Sequence, residues 1–438
     1  MAQDESLLPT RRLPFRRHLD ALPSGLPFVT IELPHLHSVS IVMYAKVGSR
    51  YESERDNGLS HFLEHMLFRG TTALPDAYRL SQAIEAIGGT LYAETGRDYS
   101  LYQVSLHPDS LAAGIELFGE IFSRPVFADL DVERRVILEE MSEDLDDKGR
   151  FIQIDDIARG AAFPGHKLGQ RIIGPRDNVK GFSPADVRRH FAHGYGAANM
   201  LLCISGAVKR KQVLSLVEQA FAAVPTGARL KAAPPKQPTK PEVVITRHAS
   251  SQTQLQILFR TFGEADPMYA SLLMLSRIID DGMSTRLHRR MIDELGLAYY
   301  VSGSCEHFHD TGLFEIDGAA AHDNVPAMLD EALRVLWKLR SETPSLEELD
   351  KAKRRHRWDL ESTFDDPDAM ASWWGGTELF GGPVSYEIKL ARIAAVTPDD
   401  VRRTAARIFR KERITVAAVG LLGAAQRRQL QRTVDALA

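Results

Sequence analysis

The chain has 438 residues, 44% of them hydrophobic and 26% charged, and a formal net charge of −4. This length predicts about two to four globular domains, and a charge so near zero, with no dominant basic patch, excludes nucleic acid as an expected partner. The two cysteines, Cys203 and Cys305, are too few for a disulfide framework or a four-cysteine zinc site.

The N-terminal residues 1–17 are expected to form a solvated arm. They include acidic side chains near the start and contain no apolar run of the kind found in a secretory signal. No later run reaches the roughly 18 apolar residues that a membrane span needs, so we predict no membrane partner. We expect a cytoplasmic protein, with a periplasmic or organellar location as the alternative if a targeting segment has been removed.

The first chemically distinctive segment is GLSHFLEHMLFRG, residues 58–70. Its apolar side chains predict a short, buried helix. Three nearby residues are candidate N-caps: Asp56, Asn57 and Ser60. Yet His61, Glu64 and His65 lie inside this helix, spaced i, i+3 and i+4, and therefore share one face. Burying a carboxylate and two imidazoles costs free energy unless something pairs with them.

A metal ion is one partner that satisfies this polar face. Two histidines one helical turn apart can bind one tetrahedral zinc ion, and the carboxylate between them can act as general base on a zinc-bound water. The alternative is a chance occurrence of the HxxEH pattern, which the string alone leaves open.

A catalytic zinc site requires a third protein ligand, and residues 130–145, LDVERRVILEEMSEDL, contain four glutamates. Helical phase places Glu133 and Glu140 on the same face as Val136 and Ile137, which we predict to be the apolar face. The alternative is that these carboxylates are simply solvated on a charged helix.

The chain also repeats itself at long period. SPADVRRHF (183–191) returns as TPDDVRRTA (397–405), at an offset of about 214 residues. Ser183 and Thr397 each precede a proline and are predicted N-caps. An apolar strand is predicted after each of these helices, as MLLCISGAV and ITVAAVG.

Strands and helices earlier in each half match in the same way. The predicted strand at 38–48 matches 253–263, and a strand pair at 88–106 resembles 296–316. An amphipathic helix follows each strand pair, at 109–122 and 325–339. The offsets agree to about one residue, so we predict two copies of one α/β unit.

The repeat predicts an α+β fold of two homologous domains, each a largely antiparallel sheet with helices packed on one face. The proline-rich stretch at 231–241 is the expected linker. We place the candidate zinc-binding, catalytic domain at 18–230 and the second homologous domain at 242–438.

The motifs HFLEHMLFRGT and ERRVILEEMSED resemble those of the inverzincin metallopeptidases, a family that includes pitrilysin, insulysin and the mitochondrial processing peptidase. The likeness extends over both predicted domains, through segments such as AAFPGHKLGQRIIG and GMSTRLHRR. It implies that His61, His65 and Glu140 bind one zinc ion per chain. It also implies that Glu64 is the general base and that Glu133 orients a ligand.

The resemblance further implies a zinc-dependent endopeptidase that cleaves peptides or unfolded polypeptide segments inside a closed cavity. In the family, substrate adds as an extended strand to a sheet edge near the zinc, and residues 88–98 resemble that edge. Four residues there are the implied backbone contacts: Gly89, Thr90, Ala93 and Thr95. Tyr92 stands where relatives usually have asparagine, which alters the local substrate contact.

A second departure lies at 289–299. Active single-chain relatives have an arginine seven residues before a tyrosine, and the pair grips the substrate. Tyr299 matches the tyrosine, but Ile292 occupies the arginine position. Arg289 and Arg290 are out of phase in a helix that turns about 100° per residue. Either a partner subunit supplies the pair, in a homodimer or heterodimer, or a neighbouring arginine has been recruited; we favour the partner.

Three further features carry alternatives. His307 and His309 have no obvious third metal ligand and are expected to be surface or packed histidines. Trp373 and Trp374 either contact a substrate or partner, or pack at a bend. A non-catalytic scaffold or assembly subunit with the same fold is the alternative function, although such relatives typically have a damaged zinc motif.

Overall fold

The structure is a computed structural model that describes residues 13–382 and 385–437. Within these residues, sixteen α-helices and eleven strands form two sheets, one in each half of the chain. The predicted α+β class is therefore confirmed. Most of the predicted N-terminal arm, residues 1–12, lies outside the described residues.

The elements of the first half, in chain order, are as follows: β1 (Arg16–Ala21), β2 (Pro27–Glu32), β3 (Val39–Ala45), α1 (Leu59–Leu67), α2 (Ala77–Ala86), β4 (Thr90–Thr95), β5 (Ser100–Leu106), α3 (Leu111–Ser123), α4 (Leu130–Glu143), α5 (Ile154–Ala162), α6 (Arg176–Gly181), α7 (Pro184–Gly194), β6 (Met200–Gly206) and α8 (Arg210–Ala220). The elements of the second half are as follows: β7 (Glu242–Arg247), β8 (Thr253–Phe262), α9 (Tyr269–Ile279), α10 (Arg286–His288), β9 (Tyr300–His307), β10 (Thr311–Ala320), α11 (Val325–Ser341), α12 (Leu346–Ser362), α13 (Pro367–Phe380), α14 (Tyr386–Ala394), α15 (Pro398–Ile408), β11 (Ile414–Gly420) and α16 (Ala424–Asp435).

The two sheets have the same strand order. The first runs β1-β2-β6-β3-β5-β4 and the second β7-β11-β8-β10-β9. In each sheet the pair β2–β6 or β7–β11 is parallel, and the other neighbours are antiparallel. The first sheet differs by the additional edge strand β1. The predicted repetition of one α/β unit is thus present in the strand topology.

The predicted helix starts of the repeat are also confirmed. Ser183 forms a capping box with Asp186 at the start of α7, and Thr397 forms one with Asp400 at the start of α15. Each hydroxyl accepts a backbone N–H that the helix leaves unpaired, while the carboxylate accepts the N–H of the cap residue.

Each sheet packs its own helices on one face and receives a helix from the other half on the opposite face. Helix α13 of the second half packs on β2, β3 and β6, and helix α5 of the first half packs on β7, β8 and β11. Gly375 is required here because a Cβ at this position would lie 2.2 Å from the ring of Tyr44. This exchange buries both faces of the central strands β3 and β6 in the first sheet and β8 and β11 in the second.

The chain ends and linker fit around this exchange. The described end of the N-terminal arm is not solvated, because Phe15 packs against Phe364 and Trp374, and the Arg17 guanidinium pairs with Glu378. No helix or strand forms in residues 231–241, and β7 begins directly after them.

Candidate metal centre

Helix α1 is short, and its start is fixed by a side chain six residues upstream. None of the three predicted N-caps holds that place, because Gly58 is the N-cap residue, in a left-handed conformation with φ of 103°. The buried carboxylate of Glu52 accepts the backbone N–H of Gly58 at 2.9 Å and of Ser60 at 2.6 Å. It also accepts the Asn57 amide at 3.0 Å. Glu52 was missed because it lies outside the helix and reaches it through a loop.

The structure brings His61, His65 and Glu140 together. Nε2 of His61 lies 3.4 Å from Oε1 of Glu140, and Nε2 of His65 lies 3.7 Å from Oε2 of the same carboxylate. The potential ligand atoms of the three residues all lie within 4.8 Å of one another. Ligand atoms at tetrahedral zinc stand roughly 3.3 Å apart when their bonds are about 2.0–2.1 Å long. The three residues therefore fit a zinc ion with one open position.

Glu133 holds one of the two imidazoles. Nδ1 of His65 lies 3.1 Å from Oε2 of Glu133, and Nη1 of Arg69 donates to Oε1 at 3.0 Å. Because the carboxylate accepts, Nδ1 carries the proton and Nε2 is left free to bind a metal. Nδ1 of His61 is buried and has no such acceptor among the described residues, so the carboxylate that contacts this ring is that of Glu140, through Nε2.

The close contacts between these imidazoles and carboxylates shift their pKa values. Burial lowers the pKa of His65, but its hydrogen bond to Glu133 and the charges of Glu64, Glu133 and Glu140 outweigh burial, so that pKa is raised. Hydrogen bonds from His65 and His61 lower the pKa of Glu133 and of Glu140, respectively. The carboxylates are therefore ionised, and a divalent cation would compensate their negative charge.

The helical phase of α4 predicted only some of its buried residues correctly. Glu133 and Ile137 are buried as predicted, but Val136 is 49% exposed, so the prediction that it belongs to the apolar face is wrong. Val136 and Glu140 lie one turn apart on a stripe at the rim of the core, because α4 packs against α1 and α6 along its Ile137 side. Glu140 reaches the histidines from this rim.

Glu64 projects from α1 towards strand β4. The Thr95 hydroxyl donates to Oε2 of Glu64 at 2.5 Å, so the last residue of β4 fixes one oxygen of the carboxylate. β4 is the outermost strand of its sheet, paired only with β5. Its free edge therefore begins beside Glu64.

A cavity of about 540 Å³ opens over these residues. Its lining includes His61, Glu64, Glu140 and, from the predicted substrate contacts, Ala93 and Thr95. The other two predicted contacts, Gly89 and Thr90, lie at the opposite end of β4. Tyr92 is half-exposed, and its hydroxyl donates to Glu94.

The segment around Ile292 is not the helix that the phase argument assumed. Residues Arg289–Glu294 form a π-helix, which turns less per residue than an α-helix. Arg289 pairs with Glu294, and Arg290 with Glu331 and Glu294. Tyr299 is 93% exposed and lies just before the edge strand β9. The cavity lining includes neither arginine nor this tyrosine.

The remaining sequence features have structural partners. The ring of His307 packs edge-on against Tyr269, and Nδ1 of His309 lies 3.2 Å from Asp98. Trp373 and Trp374 lie inside helix α13, so the predicted bend is wrong. No described helix is long and apolar enough to cross a membrane, and the cytoplasmic location stays a prediction.

Two family models match the chain. The model described as insulinase (peptidase family M16) matches residues 28–176, which include all three candidate ligands and Glu64. The model described as the peptidase M16 inactive domain matches residues 181–355. The second match begins before the 231–241 linker, so it covers the end of the first half and much of the second.

Named relatives agree with these matches. An uncharacterized zinc protease of Streptomyces coelicolor is 29% identical over 95% of this chain and 92% of its own length. The mitochondrial-processing peptidase subunit beta of Blastocladiella emersonii is 27% identical over 91% of this chain and 87% of its own length. In fold, the chain is similar to a protease from Helicobacter pylori, with a TM-score of 0.85 and 21% identity, over 93% of this chain and 100% of that one.

Proposed function

Because the chain belongs to the M16 peptidase family, as a two-domain member, we propose that it is a zinc-dependent endopeptidase that cleaves peptides or unfolded polypeptide segments. One observation carries the proposal: two Nε2 atoms and one carboxylate converge beside Glu64 in a cavity with an open strand edge. Residues His61, His65 and Glu140 hold the zinc, and Glu133 orients His65.

A zinc ion held there supplies Lewis-acid activation of a water and of the scissile carbonyl. Glu64 removes the proton from the attacking water and delivers it to the leaving amine. The Thr95 hydroxyl occupies Oε2 of Glu64, which leaves Oε1 to exchange the proton. A proton acceptor fixed in this way contributes roughly 10²–10⁴-fold to the rate.

The strand edge defines the class of substrate. An extended segment can pair with the free backbone groups of β4, with Ala93 and Thr95 at the end nearest Glu64. Hydrogen bonds between backbones depend little on the sequence of the substrate, and they require an extended chain. A folded domain cannot enter a cavity of about 540 Å³, so the enzyme selects peptides and unfolded segments.

The substrate grip is completed in a dimer. In the structure Arg289 and Arg290 are engaged by glutamates, and Ile292 packs on the core of the second half. Tyr299 points into solvent rather than into the cavity of its own chain. The proposal is that a related but different subunit supplies an Arg/Tyr pair, because a second copy of this chain has Ile292 at the same position. Full activity of the purified monomer on an unstructured peptide would contradict this.

The second candidate is a non-catalytic scaffold subunit. Its supporting observation is that residues 181–355 match a model described as an inactive domain. The residues of the metal centre lie between positions 61 and 140, and this match does not include them. The enzyme is therefore the better-supported proposal.

The test is zinc content, measured by mass spectrometry, together with peptide cleavage by wild type and by Glu64→Gln. The proposal expects about one zinc per chain in both proteins and cleavage by wild type alone. Wild type that holds no stoichiometric zinc and cleaves nothing, with its partner present, would establish the scaffold function instead.

A further inference from the structure

A second cavity, of about 720 Å³, adjoins the one over the metal centre. The two cavities share Glu94, Arg97 and Glu306 in their linings. Strand β4 leads from one to the other, because Thr95 lies beside Glu64 and the next residues, 96–99, line the second cavity. A chain that pairs with β4 therefore continues into this space.

The walls of the second cavity are aromatic. The lining residues come from the turn before β5, from the start of α9, from the end of β9 and from α13. The aromatic residues of the lining are Tyr99, Tyr269, Phe308, Trp373 and Phe380. Phe380 stacks on the His309 ring at 5.2 Å, and Tyr99 meets Phe380 edge-on at 6.3 Å. These contacts fix the ring faces as a preformed wall.

Most charged side chains of the lining have a hydrogen-bond or ion-pair partner. Nη1 of Arg50 donates to Asp98 at 2.9 Å, and Nη2 of Arg97 donates to Asp156 at 2.7 Å. Glu306 accepts from Arg159 at 3.0 Å, and Lys389 pairs with Glu264 at 3.6 Å. With these charges compensated, the aromatic wall is the apolar surface that a ligand can contact.

We propose that this second cavity is a substrate subsite that takes one aromatic or large aliphatic side chain of the polypeptide being cleaved. The subsite rests on the proposed peptidase function. An extended chain advances about 3.3 Å per residue, and Asp98 stands three positions after Thr95. The occupant therefore lies about three to five residues from the scissile bond. Aromatic faces supply the large contact area that such a side chain requires.

A larger side chain at Gly376 can fill the second cavity while every residue of the metal centre stays unchanged. Gly376 lines the second cavity, and a Cβ added there would meet nothing within 4 Å. Gly181, at the end of α6, has the same freedom and lies in neither lining. Gly376→Leu and Gly181→Leu are thus a matched pair that differ only in whether the new side chain enters the cavity.

The experiment uses unstructured twelve-residue peptides with one cleavage site, in which a single phenylalanine replaces alanine at each position in turn. An all-alanine hexapeptide, which presents no aromatic or large aliphatic side chain to the second cavity, serves as reference. The full-length protein is used, with its partner if it needs one. KM and kcat are measured for wild type, Gly376→Leu and Gly181→Leu, and thermal melting verifies that each variant is folded.

In wild type and Gly181→Leu, phenylalanine about three to five residues from the scissile bond should lower KM by roughly tenfold. Gly376→Leu should abolish this gain while it cleaves the hexapeptide at the wild-type rate. An equal gain in Gly376→Leu, or no position-dependent gain in wild type, overturns the subsite. If Gly376→Leu fails to fold, Phe380→Ala replaces it and should weaken the same preference. Wild type that leaves the hexapeptide intact counts against the peptidase function itself.

Discussion

The helix pair α1–α4 of the first half and the pair α9–α12 of the second half occupy equivalent places in the repeat. The two pairs differ in the side chains that face the carboxylates between their helices. Between α1 and α4, the imidazoles of His61 and His65 face Glu133 and Glu140. Between α9 and α12, the guanidinium of Arg277 bridges Asp281 at 2.7 Å and Asp359 at 2.6 Å.

The histidines show the contrast most directly. The pKa of His65 is raised by its carboxylate neighbours, which overcome its burial, whereas burial lowers the pKa of His356 on α12 to about 4. The second half carries its compensating cation in its own sequence, whereas under the proposed function a bound zinc ion takes that role in the first half. One fold therefore yields a site in one copy and a self-sufficient packing contact in the other.

The largest expected effect comes from removing the carboxylate that faces both histidines. Glu140→Gln should lower both zinc affinity and kcat/KM by more than about 100-fold, beyond the usual effect of a residue that only supports a ligand. Isothermal titration with zinc and peptide cleavage measure the two losses. Glu139→Gln is the control, since Glu139 is exposed on the same helix. Zinc binding that survives Glu140→Gln would show that the first half does not depend on this ion pairing.

Glu133→Gln should have the next largest effect. It removes the negative charge and one of the two acceptor oxygens, so the remaining amide oxygen can accept from His65 or from Arg69 but cannot keep both bonds as they are. Loss of such a supporting group lowers zinc affinity by about 10–100-fold. The exposed Asp131→Asn is the control on the same helix. If zinc affinity is equal in both variants, the ring of His65 is held by other contacts.

In the second half, loss of the charged partner should lower the free energy of unfolding and not the zinc affinity. Arg277→Met leaves Asp281 with Arg355 alone and Asp359 without its partner on α9. The free energy of unfolding should fall by about 1–2 kcal/mol, less than for a fully buried pair because Asp359 is exposed. Zinc content should not change. Arg334→Met, which breaks an exposed pair with Glu331, should cost under about 0.5 kcal/mol. Urea denaturation measures both, and zinc loss in Arg277→Met would contradict the separation of the halves.

The sequence predicted the local and periodic parts of this comparison. The spacing of His61, Glu64 and His65 determines a shared helical face, and the repeat at about 214 residues determines two sheets of like order. The phase of α4 identified Glu133 and Glu140 but misplaced Val136, because phase gives relative directions and not the extent of the core.

What the sequence did not predict depends on contacts between distant residues. The carboxylate of Glu52 reaches the start of α1 through a loop, and no spacing rule links it to that helix. The exchange of α5 and α13 between sheets is decided by packing across the two halves. The π-helix at 289–294 replaces the expected turn, so an argument from 100° per residue does not apply there.

The smallest expected effect is a pH dependence specific to the second half. Glu348 at the start of α12 accepts from Arg286 and from the backbone N–H of Ser345, and the Arg286 bond comes first among the causes that lower its pKa from 4.5 to about 2. A folded pKa below the unfolded one means that the ionised form is stabilised by folding. This stability is complete above pH 4.5 and is lost as pH falls from there towards 2.

Glu348→Gln keeps one oxygen acceptor for the helix start but removes the charge. The free energy of unfolding of wild type should therefore fall more steeply than that of Glu348→Gln between about pH 5 and pH 3, by about 1 kcal/mol in total, since the side chain is partly exposed. Metal-free protein is used for both curves. Glu133 and Glu140 titrate equally in the two proteins, so the difference isolates Glu348. Parallel curves would mean that the charge of Glu348 is not stabilised by Arg286, and that this ion pair adds nothing to the charge compensation that Arg277 and Arg355 provide at Asp281.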